Sequence, residues 1–362
     1  MKYYSLKNIL SRNATYNFIF GERSNGKTYA CLQYGLEQFT KGQKQFAIVR
    51  RWQDDFTGKR GATMFDALIA NGEITKLTRG KWSGVYYYGS RWFLCRYEET
   101  AKGKQERIVD ETPFAYGFAL TSETHDKSTS YPNITTILFD EVLTRTGYLP
   151  DEFVLFANTI STIIRDRDDV KIFMLGNTVN KYCPYFDEMG LNHISDMKQG
   201  EIDIYTYGES KLTVAVEYCK PNAQGKPSDF YFAFDNPKLK MITGGAWEIG
   251  IYPHCPMKYA PKDILYNFFI IYQHAVLHCE VISKDGQTFI FIHPKTTPIQ
   301  DNAHELIYTT DFDPRPNYRR KITKPSTPTE RKIAQLFAND KVFYSSNAVG
   351  DVVRNYLEFC GK

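Results

Sequence analysis

One stretch, Thr15–Ala30 (TYNFIFGERSNGKTYA), restricts the possible folds more than any other part of the chain. Thr15–Phe20 is short, aromatic and β-branched, the pattern of a buried strand. Gly21-Glu22-Arg23-Ser24-Asn25-Gly26-Lys27-Thr28 follows at once and satisfies G-x-x-x-x-G-K-[ST] at every fixed position. Tyr29–Phe39 then has the composition of a helix. Strand, loop and helix in this order describe a phosphate-binding loop at the C-terminal edge of a parallel sheet. The glycines let the backbone curl so that its N–H groups converge on an anion at the positive end of the helix. Gly21, Arg23, Ser24, Asn25, Gly26, Lys27 and Thr28 are therefore expected to bind a nucleoside triphosphate. Lys27 would reach the β- and γ-phosphates, and the Thr28 hydroxyl would ligate Mg²⁺.

A pair of acids supplies the chemistry. In Tyr131-Pro-Asn-Ile-Thr-Thr-Ile-Leu-Phe-Asp140-Glu141 the run Thr135–Phe139 reads as a buried strand ending in two carboxylates. A parallel sheet places its chemistry at that end. Asp140 is expected to hold Mg²⁺, directly or through water, and Glu141 to polarise a water for attack on the γ-phosphate. Small-molecule kinases activate a substrate hydroxyl and need no such glutamate, so Asp-Glu favours hydrolysis.

Other stretches build the surroundings. Phe46–Val49 is a second buried strand, ending in Arg50-Arg51-Trp52; the arginines read either as surface charge or as facing phosphate across a subunit boundary. Trp82–Ile108 alternates, is rich in Tyr, Trp and Arg, and passes through Gly103-Lys104-Gln105-Glu106. It is expected to form β-hairpins inserted into the core. Pro150–Ile164 carries Phe153, Phe156, Ala157 and Ile160 at helical spacing. It runs into Arg165-Asp166-Arg167-Asp168-Asp169, either a solvated helix end or the source of an arginine reaching a neighbour's γ-phosphate. The following strand, Val170–Leu175, closes with Gly176-Asn177-Thr178. Asn177 is expected beside Glu141, suited to sensing the γ-phosphate or orienting the water.

Composition bounds this reading. A chain of 362 residues suggests about two to three domains. The 26 Tyr and 25 Phe argue for packed cores and against disorder. A net charge of +4 leaves any nucleic-acid contact to local patches. Seven scattered cysteines without a C-x-x-C fit reduced thiols, not a disulfide framework or a zinc site. MKYYSLKNIL lacks an apolar signal core, and no apolar run approaches the ~20 residues of a membrane span. The expectation is a soluble, intracellular protein without a membrane partner.

In the C-terminal half, Lys220–Pro227 (KPNAQGKP) reads as a linker or loop tip. Tyr266–Tyr272, Ala275–Ile282 and Thr288–Ile292 read as strands, the last two joined by Lys284-Asp285-Gly286-Gln287. Thr327-Pro328-Thr329-Glu330 is a capping box opening a helix to about Phe337. A short strand, Val342–Ser345, and a helix near Val349–Phe359 follow. The layout suits an α+β ribonuclease-H-like domain. A two-metal nuclease needs several converging carboxylates. The first strand here contains none, Asp285 lies in a turn and Glu280 has no evident partner, so a non-catalytic domain is expected. Arg315–Lys332 holds seven basic residues against one acid, Glu330. With Pro314, Pro316, Pro325 and Pro328 keeping it extended, the run reads as a nucleic-acid contact. The expected division is a P-loop ATPase domain at 1–198, α/β with a parallel sheet and a β-hairpin insertion, then a linker region at 199–244. The ribonuclease-H-like domain follows at 245–362.

With these residues assembled, the chain resembles the DNA-encapsidation (packaging) ATPases of small short-tailed phages. These belong to the additional-strand, catalytic-glutamate division of P-loop ATPases. The resemblance rests on G-x-R-x-x-G-K-[ST] with Arg23 at its third position and on Val49-Arg50-Arg51-aromatic. It continues through Lys127-Ser128-x-x-Tyr131-Pro132-Asn133-Ile134 leading into Phe139-Asp140-Glu141, Ile164-Arg165-x-Arg167, Asn177 and Pro184-Tyr185-Phe186. Order and spacing hold over Thr15–Phe186 and fade beyond. The Ser24-Asn25 loop interior departs from the Gly-x of that pattern, which bears on loop stiffness and leaves phosphate binding intact. What the resemblance implies is a homomeric ring, a pentamer, that threads double-stranded DNA through a portal into a prohead in the host cell cytoplasm. A structural RNA is a further partner of such motors. Lys27, Asp140 and Glu141 would bind and cleave ATP, and Arg165 would act in trans. Lys127 and the Trp82–Ile108 hairpins are alternative DNA grips to the basic run, which would then dock on the portal or the RNA. Rival readings are another ring motor (a helicase, or a conjugation or export ATPase) and a nucleic-acid-binding structural protein switched by ATP.

Overall fold

The computed structural model describes residues 4–101, 103–125, 129–144, 148–179, 183–194, 196–208, 212–220, 250–273, 275–301 and 303–361. Lys127 and Ser128, and residues 221–227 of the expected linker, lie outside them. The chain divides into two units, Met1–Glu248 and Ile249–Lys362.

The first unit is a sheet covered on both faces. Its strands are β1 (Tyr16–Gly21), β2 (Gln45–Arg50), β3 (Gly84–Tyr88), β4 (Arg91–Glu99), β5 (Gln105–Ala119), β6 (Ile134–Phe139), β7 (Lys171–Asn177), β8 (Ile202–Tyr207) and β9 (Leu212–Tyr218). They lie in the order β3-β4-β5-β2-β6-β7-β1-β9-β8. From β5 to β9 in that order, neighbours pair in parallel, while β3, β4 and β8 join antiparallel at the edges. Every residue of β6 is buried, as a parallel strand covered on both faces requires. Phe18, Phe20, Val49 and Phe139 pack on one face with Phe156 and Ile160 of the helix Glu152–Ile164. Ile19, Phe46 and Ile48 pack on the other with Leu32 and Leu36 of the helix Lys27–Gly42. β7 lies between β1 and β6, so one strand separates the phosphate loop from the paired acids.

Two expectations about this unit change. Residues 202–207 and 212–218, read as part of a linker region, form β8 and β9, and β9 extends the sheet beyond β1 with Tyr16 opposite Val214. Its Thr, Glu and Tyr residues hid a strand whose Val214, Ala215 and Val216 are fully buried. The hairpin is likewise continuous with the core, because β5 runs well past Ile108. Its first part pairs with β4, and its last part pairs in parallel with β2, Phe46 opposite Ala115. Pro113 falls at a register shift against β4, a place where the ladder tolerates a missing N–H.

The second unit holds β10 (Ile264–Tyr272), β11 (Ala275–Lys284), β12 (Gln287–Pro294), β13 (Ile307–Thr309), β14 (Tyr318–Arg319) and β15 (Val342–Tyr344), with helices Pro328–Ala338 and Asn347–Cys360. The order is β14-β13-β10-β11-β12-β15. β10, β11 and β12 form an antiparallel meander, and β13, β14 and β15 add in parallel. Thr327 Oγ1 accepts the Glu330 N–H at 3.2 Å, capping the first helix. The basic run is not a free extended arm. Arg319 Nε lies 3.0 Å from buried Glu330, Arg315 forks onto Asp313, and Arg320 Nε donates to the Thr310 carbonyl. Among the described residues no helix is long and apolar enough to cross a membrane.

Candidate nucleotide site

The loop 21–28 and the ends of β6 and β7 enclose a cleft of about 450 Å³ lined by Arg23–Tyr29, Asp140, Glu141 and Leu175–Asn177. Two residues of the loop take left-handed backbone: Gly26, at φ 91°, caps the helix Lys27–Gly42, and Ser24 sits at φ 63°. A glycine bears the first without cost, whereas Ser24 is strained. The Tyr4 N–H donates to the Asn25 carbonyl at 3.0 Å, and the Tyr4 hydroxyl to Glu217 Oε2 at 2.6 Å, tying the loop to β9. Nothing in the sequence pattern marks that tie.

Lys27 Nζ lies inside the loop, donating to Glu22 O at 2.7 Å, Asn25 Oδ1 at 3.2 Å and Asn177 Oδ1 at 3.3 Å. Burial pushes its pKa down from the usual lysine value. The Thr28 hydroxyl is 3.2 and 3.3 Å from the two Asp140 oxygens. Two oxygens bound side by side to an octahedral Mg²⁺ at about 2.1 Å lie about 3.0 Å apart, so this hydroxyl–carboxylate pair fits such an ion. Gly176, beside Asn177, leaves room for Leu143: a Cβ there would come within 2.6 Å of its side chain.

Arg50 grips both acids, with Nη2 2.9 Å from Asp140 Oδ2 and Nη1 3.1 Å from Glu141 Oε2. Glu141 itself is at φ 61° with its side chain 68% exposed, open to water on the cleft side. Arg51 turns inward. It forks onto Glu152 at 2.7 Å through two nitrogens and donates to the carbonyls of Glu141 and Val142 at 3.2 Å. Glu152 also accepts the Tyr185 hydroxyl and the Leu149 N–H. Arg51 is therefore a buried side chain and not surface charge, and it fixes the backbone at Glu141 and Val142. A dipeptide of arginines gives no sign of this division, which depends on a glutamate 101 residues away.

Arg165 is not in the cleft. It follows the helix Glu152–Ile164, and its Nη2 donates to the Thr129 carbonyl at 3.1 Å, on the side where β6 and β7 begin. Arg167 beside it binds the carbonyls of Tyr131, Pro132, Ile163 and Ile164. Within one chain the fold thus gathers Lys27, Thr28, Asp140, Glu141 and Asn177 and keeps Arg165 apart.

Comparison with known proteins gives consistent matches. A family described as podovirus DNA encapsidation protein (Gp16) matches residues 1–78 and 93–207. The DNA packaging protein of Bacillus phage PZA is 23% identical over 97% of this chain and 95% of its own. The DNA packaging protein of Bacillus phage phi29 is 28% identical over the same shares, 97% and 95%. Among solved structures, a chain of the bacteriophage Phi-29 viral genome packaging motor assembly shares the fold with a TM-score of 0.60, at 19% identity and with 99% of each chain covered.

Proposed function

The chain belongs to the podovirus DNA encapsidation protein (Gp16) family, and we propose that it is a DNA-packaging ATPase whose cleft at 21–28, 140–141 and 177 binds Mg·ATP and drives double-stranded DNA translocation. The observation that carries this reading is the meeting of Lys27, Thr28, Asp140, Glu141 and Asn177 at one sheet edge in a chain of that family. Phosphates entering the loop draw Lys27 away from the Glu22 carbonyl and onto their charge. Thr28 and Asp140 would hold Mg²⁺, which neutralises phosphate charge when bound. Glu141 acts as base on the attacking water after Arg50 has released it, because the guanidinium otherwise occupies a carboxylate oxygen that would take the proton. Asn177, bonded to Lys27, stands where the γ-phosphate can be sensed.

Arg165 lies at the opposite end of its own sheet, and this supports a role at a neighbour's γ-phosphate in a homomeric ring, a pentamer by family likeness. The same reading gives the ring a prohead portal, double-stranded DNA and a structural RNA as partners in the infected host's cytoplasm. The strand order β12-β11-β10-β13-β14, an antiparallel meander extended by parallel strands, supports a ribonuclease-H-like second unit without nuclease chemistry. ATP turnover measured alone, with DNA, and with DNA and proheads tests the whole. Stimulation by both is expected; stimulation by DNA alone, unchanged by proheads, indicates a different ring motor, and indifference to DNA overturns the motor.

A further inference from the structure

Alternation along β11 sends Leu277, Cys279 and Val281 to one face of the second unit's sheet and His278 and Glu280 to the other. His278 stands opposite His293 of β12 in register, and Glu280 opposite Phe291. The two imidazole centroids are 4.9 Å apart, and His293 Nε2 is 3.8 Å from Glu280 Oε2. One donor atom from each of the three residues lies within 4.8 Å of the other two. His278 is stacked on Phe269, centroids 5.1 Å apart and planes at 22°, and its Nε2 is buried without a hydrogen-bond partner. A buried ring nitrogen without a hydrogen-bond partner is costly, and its neighbours are donors suited to a metal. The Tyr259 hydroxyl donates to Glu280 Oε2 from the segment before β10. Lys295 also reaches this face over the Phe269 ring and donates to Thr297 Oγ1 at 2.9 Å.

We propose that His278, Glu280 and His293 form a binding site for a divalent transition-metal ion of the Zn²⁺ type, with its fourth position open to water. Two imidazoles and a carboxylate are a donor set that suits Zn²⁺ and not Mg²⁺. Ligands about 2.1 Å from a tetrahedral ion stand about 3.4 Å apart, so modest side-chain rotations on two paired strands close the site. Tyr259 orients the carboxylate from outside the ligand set, as such partners do. The ion fastens β11 to β12. It is distinct from the Mg²⁺ expected at Thr28 and Asp140, which belongs to the first unit.

The test uses the full-length chain, stripped with chelator and titrated with ZnCl₂ against a chromophoric chelator, then with CoCl₂ read by visible absorption. The wild type is expected to hold one more Zn²⁺ than the variants His278→Asn and His293→Asn, and to give Co²⁺ ligand-field bands that both variants lose. Tyr259→Phe should weaken binding by about 10–100-fold without removing it. His304→Asn, at an exposed pair with Asp301, should change nothing. Should His278→Asn fail to fold, His293→Asn decides alone, since that side chain is partly exposed. Equal Zn²⁺ uptake and identical Co²⁺ spectra in the wild type and His293→Asn overturn the site and leave a packed His–Glu cluster.

Discussion

Arg50 and Arg51 are neighbours in sequence with different fates in the fold, and the difference predicts different mutant behaviour. Arg51 faces Glu152, whose side chain is fully buried, so Arg51→Met leaves a charge without its partner. Breaking such a pair costs about 3–5 kcal/mol, to be read from denaturant unfolding of the full chain. Arg50→Met removes a contact at the cleft instead and should affect turnover more than stability. Lys27→Ala should abolish tight ATP binding, measured with a fluorescent analogue, because it deletes the charge that meets the phosphates. Glu141→Gln should keep that binding and lower phosphate release by about 10²–10⁴-fold, the usual worth of a positioned base. A Glu141→Gln protein turning over at the parent rate would move the base elsewhere.

Elements read from local pattern were found where the pattern was strong. The cap at Thr327 is one: its side chain accepts the Glu330 N–H and Glu330 is buried. Thr327→Ala should cost about 1 kcal/mol, measured as a shift in the second unit's unfolding midpoint. The basic run after Arg315 shows the opposite case. Its charge density was legible, but not that Arg319 is held by Glu330 and Arg315 by Asp313. Replacing Arg319 would therefore confuse unfolding with loss of DNA contact. Lys324, Arg331 and Lys332 are exposed and give the cleaner test. Changing all three to Gln should make the log–log salt dependence of DNA binding shallower by up to about 0.9 per charge. An unchanged slope with lost prohead attachment assigns the run to docking.

At the scale of the whole molecule, the separation of Arg165 from its own cleft makes a prediction about assemblies. Arg165→Ala and Glu141→Gln subunits should each be inactive, yet mixtures should recover part of the ATPase rate, because each defect spoils a different side of an interface. Arginines acting this way contribute about 10³–10⁵ in rate. Mixed rings as inactive as either parent would return Arg165 to the structural role its Thr129 contact already gives it. Incubation with plasmid and Mn²⁺ should leave DNA intact; nicking that vanished on changing Glu280 or Asp285 would overturn the non-catalytic reading of the second unit.

The sequence alone determined the phosphate loop and the paired acids, because each depends on residues close together in the chain. A glycine that must turn, a lysine six residues from the first glycine and an acid at the end of an apolar run are local requirements with local signatures. Tertiary structure decided everything that joins distant segments. Examples are Arg51 on Glu152, Tyr4 on Asn25 and Glu217, the recruitment of β9 beside β1, and the convergence of His278, Glu280 and His293 across two strands. In each case the partner is chosen by sheet register and burial. A buried charge or an unpaired backbone edge must find compensation wherever the fold brings one, and sequence separation carries no record of that choice.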